Sequence, residues 1–272
     1  METKELMLHA NSVRRRLLQM IYTAKSGHPG GSLSAADLLT VLFYEQIKMN
    51  PENVTSQRRD LFILSKGHAA PLLYSLLAEL KIIPEPLTQH FRQMGSPLQG
   101  HPKQNTVLGI DMTSGSLGQG LSAGVGVALS DRLDQNQRRV FVLVGDGECE
   151  EGQIWEAAMF AHHYQLENLT AFVDNNGLQI DGKITDVLSP EPIDEKFAAF
   201  GWHVIHADGH DVSALHDAIE EAKTVKGQPT VVVMKTVKGK GVPEVEGQVG
   251  WHGKAPTEEQ CEHFLKEVEE AE

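Results

Sequence analysis

The segment VFVLVGDGECEEG, residues 140–152, decides how the rest of the chain is interpreted. Its first five residues are apolar, which is typical of a strand buried on both faces, and they lead into Gly145-Asp146-Gly147. A second apolar run, residues 169–173, leads into Asp174-Asn175-Asn176. The intervening residues 152–166 are long enough for a crossover helix, so the two strands are predicted to be parallel neighbours in one sheet.

The same alternation extends in both directions along the chain. An α/β fold is therefore predicted, with one parallel sheet and helices on both faces. Ser34 and Asp37 resemble a capping box at the start of a helix. Residues 84–112, rich in Pro, Gly and Gln, are predicted to form a long functional loop. The predicted helices cover residues 5–22, 34–44, 70–80, 152–166, 194–200 and 211–226, and the strands cover 61–64, 140–144, 169–173, 203–206 and 230–234.

Composition narrows the functional class. The chain has 24 basic and 37 acidic residues, a net charge of −13, which argues against nucleic acid or an anionic membrane as a partner. Two cysteines, Cys149 and Cys261, are too few for a disulfide scaffold and suit a reducing cytosol. No apolar run approaches the roughly 18 residues of a membrane span. We therefore expect a cytoplasmic protein with no membrane partner.

Several familiar catalytic motifs are missing from the sequence. There is no P-loop, and Gly124-Val125-Gly126 lacks the third glycine of a dinucleotide fingerprint. Residues 114–118 lack the leading glycine of a nucleophile elbow. His162-His163 does not have the spacing of a zinc protease motif. These absences leave the polar residues at the predicted strand ends as the main chemical signal.

Asp146 and Asn176 are candidates for an oxygen-ligand cation site. They are 176 − 146 = 30 residues apart, which is the length of a strand–helix–strand crossover, so both reach the same edge of the sheet. Carboxylate and amide oxygens suit Mg²⁺ or Ca²⁺. The flanking glycines and the following helix N-terminus favour a phosphate, by roughly 0.3–1 kcal/mol for the helix dipole. The alternative is that both residues only cap turns.

These residues and their neighbours resemble the transketolase family of thiamine-diphosphate enzymes. The resemblance runs in order from about residue 9 to residue 255. It implies a thiamine-diphosphate-binding fold over residues 1–255, of the type that binds the diphosphate, followed by an acidic helix or tail over 256–272. The resemblance is carried by Asn176 and by the segments 26–30, 65–68, 100–102, 114–120, 145–147, 152–156, 180–182, 208–211, 235–241 and 251–253.

The resemblance also implies a partner. Full-length members continue into a pyrimidine-binding domain and a C-terminal domain, which we expect here on a separate C-terminal transketolase subunit, joined to this chain in an α2β2 heterotetramer. The expected reaction transfers a two-carbon ketol unit from a ketose phosphate to an aldose phosphate. A role in the pentose phosphate pathway is the default expectation, and a specialised catabolic ketose is the alternative.

The cofactor and metal ligands follow from the resemblance. It implies that the metal, Mg²⁺ or else Ca²⁺ or Mn²⁺, binds Asp146, Asn176 and the backbone carbonyl of Leu178, with Asn175 as an alternative. The residues expected to bind thiamine diphosphate are His68, Gly115, Leu117, Gly147, Asn176 and His252.

The resemblance also implies the catalytic and interface residues. His28 and His252 are expected to remove the C3 hydroxyl proton of the donor, and His101 to bind the ketol hydroxyls. Lys238 and Lys240 are candidates for phosphate contacts, and Cys149 is expected to be a packing residue. The residues expected at a subunit interface are Glu151 and Glu156.

Other functions remain open at this stage. The Asn175-Asn176 pair is similar to that of 2-oxoacid dehydrogenase α-subunits, and deoxyxylulose-phosphate synthase uses the same cofactor. A non-catalytic thiamine-diphosphate-binding module is a third alternative. The segments Ser26–Gly30 and Trp251–Gly253 favour sugar phosphates as substrates. Ketol transfer is therefore the function that the sequence predicts.

Overall fold

A computed structural model describes residues 1–270 of the chain. Its five strands are parallel and form one sheet in the order β1-β2-β3-β5-β4 across the described residues. This arrangement confirms the predicted α/β fold. The strands are β1 (Leu61–Leu64), β2 (Val140–Gly145), β3 (Leu169–Asn175), β4 (His203–Asp208) and β5 (Thr230–Lys235).

Helices cover both faces of the sheet. Because successive strand residues point to opposite faces, Phe141 and Leu143 pack with one buried cluster while Val140, Val142 and Val144 pack with the other. The helices are α1 (Thr3–Ala24), α2 (Pro29–Leu33), α3 (Ala36–Val41), α4 (Ala70–Glu79), α5 (Glu85–Thr88), α6 (Gln119–Leu133), α7 (Gly152–His163), α8 (Ile184–Val187), α9 (Ile193–Ala199), α10 (Val212–Thr224) and α11 (Glu258–Glu270).

Helices α1, α3, α4 and α10 cover one face, and α6, α7 and α9 cover the other. The approach of α6 to the sheet requires a glycine. A Cβ atom at Gly124 would lie 2.5 Å from Cγ2 of Val142, so a larger residue would push the helix off β2. Gly124 is therefore a packing residue rather than part of a nucleotide motif.

The second predicted helix differs from the structure. It begins at Ala36 and continues from Leu42 to Ile47 as a π-helix. The capping-box prediction for Ser34 and Asp37 is wrong, because the N-cap is Ala35 and no side chain caps this helix. Both side chains bond elsewhere: the Ser34 hydroxyl donates to Asp174 at 2.5 Å, and Asp37 pairs with Arg14.

The C-terminal acidic segment includes a packed helix. Helix α11 lies against α1, and its Phe264 is fully buried edge-on to Trp251, with ring centroids 5.3 Å apart. The long loop predicted over residues 84–112 contains α5 and a 3-10 turn at Thr106–Leu108. No helix within residues 1–270 is both long and apolar enough to cross a bilayer.

Candidate active site

One cavity brings the predicted residues together at the carboxyl edge of the sheet. Its volume is about 450 Å³, and it opens beyond the ends of β1, β2 and β3. Glu151 lies on its wall, whereas Glu156 lies on the exposed side of α7. The predicted catalytic, cofactor and metal residues all line it: His28, His68, His101, Gly115, Leu117, Asp146, Gly147, Asn176, Leu178 and His252.

Asp146 follows the last residue of β2 and is 2% exposed. Its Oδ1 accepts a hydrogen bond from the N–H of Gly147 at 2.8 Å, and its Oδ2 accepts one from the N–H of Gly177 at 2.6 Å. Burial, and then the charge of Asp174, raise the pKa of Asp146 to about 7. A nearby cation would reverse this shift, because it would favour the ionised form.

Asn176 and Leu178 lie opposite Asp146 on the turn after β3. The Asn176 Oδ1 accepts a hydrogen bond from the Leu178 N–H at 3.1 Å, which orients the side-chain oxygen in the cavity. Asn175 points elsewhere, and its Nδ2 donates to Glu191 at 3.2 Å. A carboxylate, an amide oxygen and a backbone carbonyl are the ligand types of a hard divalent cation, so this set fits Mg²⁺.

At two glycines on the cavity wall, Gly31 and Gly147, the surroundings leave little room for a side chain. A Cβ atom at Gly31 would lie 3.1 Å from Nε2 of His68, and one at Gly147 would lie 3.2 Å from Cβ of Gln179. At Gly115 the nearest atom would be Cβ of His101, at 3.6 Å. Glycines at these positions allow a ligand to approach backbone N–H groups, as diphosphate sites require.

Asp174 and Lys66 form a buried ion pair at the cavity, which Lys66 lines, and the sequence reasoning missed this pair. Both side chains are almost fully buried, at 0% and 2% exposed. Asp174 also accepts hydrogen bonds from the hydroxyls of Ser34 and Thr236. Although burial opposes ionisation, these partners hold the pKa of Asp174 below its usual value. The available signal was a lysine in the otherwise buried segment that ends β1.

Four histidines form a cluster on one side of the cavity. The ring centroid of His28 lies 5.4 Å from that of His68, 5.3 Å from that of His252 and 6.2 Å from that of His101. The rings of His68 and His252 are 5.2 Å apart. These residues come from four separate segments, so the fold gathers imidazoles that are distant in sequence.

Burial and nearby cations keep these imidazoles neutral. Desolvation, followed by the charge of Arg92, lowers the pKa of His28 to about 4. Desolvation and the charge of Lys238 lower the pKa of His252 to about 4 as well. The pKa of His68 falls well below its usual value, mainly because the ring is buried. All three rings are therefore uncharged near neutral pH.

Arg92 is a second residue that sequence reasoning missed. It lies in the long loop after α5, and its Nη2 donates to Nδ1 of His28 at 3.4 Å. Its Nη1 donates to the Ser26 hydroxyl at 2.9 Å. The sequence marked the loop as functional but carried no signal for this arginine, because its contact with His28 spans 64 residues.

The two lysines of the segment after β5 have different surroundings. Lys238 is 2% exposed and lines the cavity, where its Nζ lies 3.2 Å from Nδ1 of His252 and 3.5 Å from the carbonyl oxygen of Leu178. Burial and the charge of Lys66 lower the pKa of Lys238 to about 8. Lys240 instead lies 3.6 Å from a carboxylate oxygen of Glu246 and does not line this cavity.

Glu148 and Cys149 follow Gly147 and have structural surroundings. Glu148 is 2% exposed and accepts hydrogen bonds from the N–H groups of Gly118 and Gly145, at 2.8 and 3.1 Å. It thereby ties the turn before α6 to the end of β2. Cys149 is buried, and burial raises the pKa of its thiol well above the usual value. The absence of a thiolate agrees with a packing role.

The fold and this cavity define an α/β domain that binds a diphosphate coenzyme. The model for the transketolase thiamine diphosphate binding domain matches residues 7–268. The chain belongs to the transketolase family.

The similarity covers almost the whole length of two proteins that are named as transketolase subunits. The 6-deoxy-6-sulfo-D-fructose transketolase subunit SqwG of Clostridium sp. (strain MSTE9) is 41% identical, over 97% of this chain and 96% of its own. One subunit of the apulose-4-phosphate transketolase of Phocaeicola vulgatus is 38% identical, over 99% of this chain and 96% of its own. This chain thus has the extent of an N-terminal transketolase subunit.

Solved transketolases are longer. The structure of the Campylobacter jejuni enzyme superposes with a TM-score of 0.90 and 34% sequence identity. The superposition covers 100% of this chain and 43% of that enzyme. The chain therefore spans less than half the length of this relative.

Proposed function

We propose that this chain is the thiamine-diphosphate-binding subunit of an enzyme that transfers a two-carbon ketol unit from a ketose phosphate to an aldose phosphate. The observation that carries the proposal is the single cavity in which Asp146, Asn176 and Leu178 face the cluster of His28, His68, His101 and His252. Membership of the transketolase family favours this reaction over 2-oxoacid chemistry and over a non-catalytic binding module.

The metal and cofactor roles are part of the proposal. Asp146, Asn176 and the Leu178 carbonyl would hold Mg²⁺, while His68, Gly147 and Lys238 would meet the diphosphate. Gly115, Leu117 and His252 would line the rest of the cofactor. When bound, thiamine diphosphate supplies the nucleophilic carbon that takes up the two-carbon unit. The buried, unneutralised carboxylate of Asp146 supports the metal role, because a divalent cation offsets the cost of its charge.

The histidines would move the protons. The guanidinium of Arg92 can only donate, so Nδ1 of His28, 3.4 Å away, carries the lone pair of the neutral ring. A neutral His28 can therefore accept the C3 hydroxyl proton of the donor. Lys238 donates to Nδ1 of His252, which leaves Nε2–H of that ring to bond a substrate or cofactor oxygen. Of the two histidines expected to remove the C3 proton, we therefore assign that step to His28. His101, at the exposed mouth, would bind the ketol hydroxyls.

A partner subunit would complete the enzyme. The relatives named as subunits support a separate C-terminal chain, and we propose an α2β2 assembly with residues 1–255 as the cofactor-binding domain. Glu151 on the cavity wall and Glu156 would lie at an interface. Helix α7 supports this, because it also exposes Met159 and Phe160, at 57% and 42%.

Cellular role and substrates belong to the same proposal. Two free, buried cysteines suit the reducing cytoplasm. The pentose phosphate pathway is the default setting. The names of the relatives refer to a sulfofructose and to apulose 4-phosphate, so a specialised ketose is the competing substrate class.

The test is reconstitution of this chain with its C-terminal partner. With thiamine diphosphate and Mg²⁺, the complex should transfer a two-carbon unit from xylulose 5-phosphate or another ketose phosphate to ribose 5-phosphate. His28→Ala should lower kcat by about 10²–10⁴-fold, whereas His90→Ala, an exposed histidine bonded to Gln93, should not. Turnover of pyruvate without ketose phosphate turnover would contradict the proposal.

A further inference from the structure

Residues 236–241 follow β5 and place Lys238 in the cavity. On the side away from the cavity, this segment is hydrogen-bonded by Arg14 of α1 and by His210 of the turn before α10. The N–H of Val237 donates to Nε2 of His210 at 2.8 Å. The carbonyl of Lys240 accepts a hydrogen bond from Nε of Arg14 at 3.2 Å. These two contacts flank Lys238 on both sides in the sequence.

Asp37 joins the two contacts. Its Oδ2 accepts hydrogen bonds from Nη2 of Arg14 at 2.6 Å and from Nδ1 of His210 at 2.9 Å. Because the Val237 N–H donates to Nε2, that nitrogen carries the lone pair and Nδ1 carries the hydrogen. Asp37 therefore fixes the tautomer of His210, in the way that a carboxylate orients a metal-bound histidine.

The hydrogen-bonded groups of Arg14, Asp37 and His210 are buried, so water cannot readily take the place of a lost partner. Arg14 and Asp37 are 5% and 6% exposed, and the side chain of His210 is 13% exposed. The segment has further hydrogen bonds to the rest of the chain, among them the N–H of Gly239 to the carbonyl of Gly30 at 2.9 Å and the N–H of Gly241 to Oε1 of Glu246 at 3.0 Å. Lys238 itself lies within 3.5 Å of both His252 and Leu178, so a displacement of the segment would move the ammonium relative to both.

We propose that Asp37, Arg14 and His210 are positioning residues, which set the affinity of the cavity for a diphosphate by fixing Lys238. This inference rests on the proposed function for the identity of the ligand. None of the three lines the cavity, so they act through the backbone of residues 237–240 and not by contact with the ligand.

The first test uses two variants of His210 in the complex reconstituted with the C-terminal subunit. His210→Leu removes both hydrogen bonds, and His210→Gln keeps one acceptor and one donor. His210→Leu should raise the dissociation constant of thiamine diphosphate, measured by calorimetry with Mg²⁺, about tenfold, the value of one hydrogen bond. At saturating cofactor its kcat should stay within about twofold, and His210→Gln should restore most of the affinity.

The second test needs no bound cofactor. Amide hydrogen exchange, followed by mass spectrometry, should be faster in residues 236–241 of His210→Leu and near wild type in His210→Gln. His216→Leu is the control, because His216 lies on α10, which begins just after His210, and bonds Glu45 at 2.7 Å, away from the segment. If His210→Leu does not fold, Arg14→Lys replaces it, since it keeps a charge beside Asp37 but removes the Nε donor to Lys240.

The outcomes separate the two proposals. If the wild-type complex binds the cofactor and His210→Leu matches it in affinity and in exchange, the positioning role is wrong. Loss of kcat without loss of affinity would also overturn it. If the wild-type complex shows no cofactor-dependent ketol transfer, the proposed function fails, while the exchange of residues 236–241 still reports whether the network holds the segment.

Discussion

Asp146 and Asp174 stand at the ends of neighbouring strands and are both almost completely buried, yet their surroundings are opposite. Asp174 meets an ammonium and two hydroxyls, whereas Asp146 meets two backbone N–H groups. Accordingly, the pKa of Asp174 lies below its ordinary value and that of Asp146 is raised to about 7. Groups of the protein itself therefore neutralise Asp174, whereas the carboxylate of Asp146 is available to a bound cation.

The largest expected effect comes from removing the charge of Asp174, which forms the buried ion pair with Lys66. Asp174→Asn leaves the Lys66 ammonium buried without its counter-charge, so we expect the free energy of unfolding to fall by about 3–5 kcal/mol. Urea denaturation of the isolated chain measures it. Asp217→Asn, at an exposed position on α10, should stay within about 0.5 kcal/mol of wild type. A loss below about 1 kcal/mol in Asp174→Asn would show that the ion pair is not required.

The second prediction concerns Asp146 and the stabilisation that a bound cation and cofactor would provide. Thiamine diphosphate with Mg²⁺ at about 100 times its Kd should stabilise the reconstituted complex by roughly 2.7 kcal/mol. Asp146→Asn and Asn176→Ala should lose most of this gain in a thermal melt, because they remove proposed metal ligands. Asn175→Ala is the matched control, since its side chain bonds Glu191 instead. Equal loss in Asn175→Ala would mean that the two asparagines had been assigned wrongly.

The pH dependence of stability should also separate the two carboxylates. The folded pKa of Asp146, about 7, lies above the unfolded value of 3.8, so the folded chain binds more protons between these pH values. In the presence of EDTA, lowering the pH from 7 to 5 should therefore raise the unfolding free energy of wild type relative to Asp146→Asn, by about 2 kcal/mol. The opposite slope would rule out an unneutralised carboxylate at this position.

The smallest effect tests one hydrogen bond to Asp174. Thr236→Val removes a hydroxyl that donates to this carboxylate, so it should cost about 1 kcal/mol of unfolding free energy. Thr170→Val provides the same substitution at a buried hydroxyl without a partner among the described residues. That variant should be neutral or slightly more stable, as chemical denaturation will measure. Equal effects in both would show that the Asp174 contact contributes nothing specific.

Much of this arrangement could be predicted from the sequence. Continuous apolar runs such as residues 140–144 can be buried only between two helical layers, and the polar residues that follow them must meet at one edge. That reasoning predicts Asp146 and Asn176 at one edge of the sheet, and both line the same cavity. The resemblance added the histidines, whose separate segments carry no spacing rule.

Other features depended on contacts that no local pattern records. Ser34 and Asp37 have the spacing of a helix cap. Their side chains instead bond buried partners from distant segments, Ser34 with Asp174 and Asp37 with Arg14. Lys66 and Arg92 are polar residues whose roles depend on atoms 108 and 64 positions away. The local sequence specifies where the strands end. Only the folded chain shows that Asp174, and not Asp146, is neutralised by a lysine.

The most direct test of the central claim is Mn²⁺ binding followed by electron paramagnetic resonance in the reconstituted complex with thiamine diphosphate. Mn²⁺ takes the same oxygen ligands as Mg²⁺. We expect tight, cofactor-dependent Mn²⁺ binding in the wild type and in Asn175→Ala, and its loss in Asp146→Asn. Undiminished Mn²⁺ affinity in a folded Asp146→Asn complex would contradict the assignment of Asp146 as the carboxylate that a bound cation neutralises.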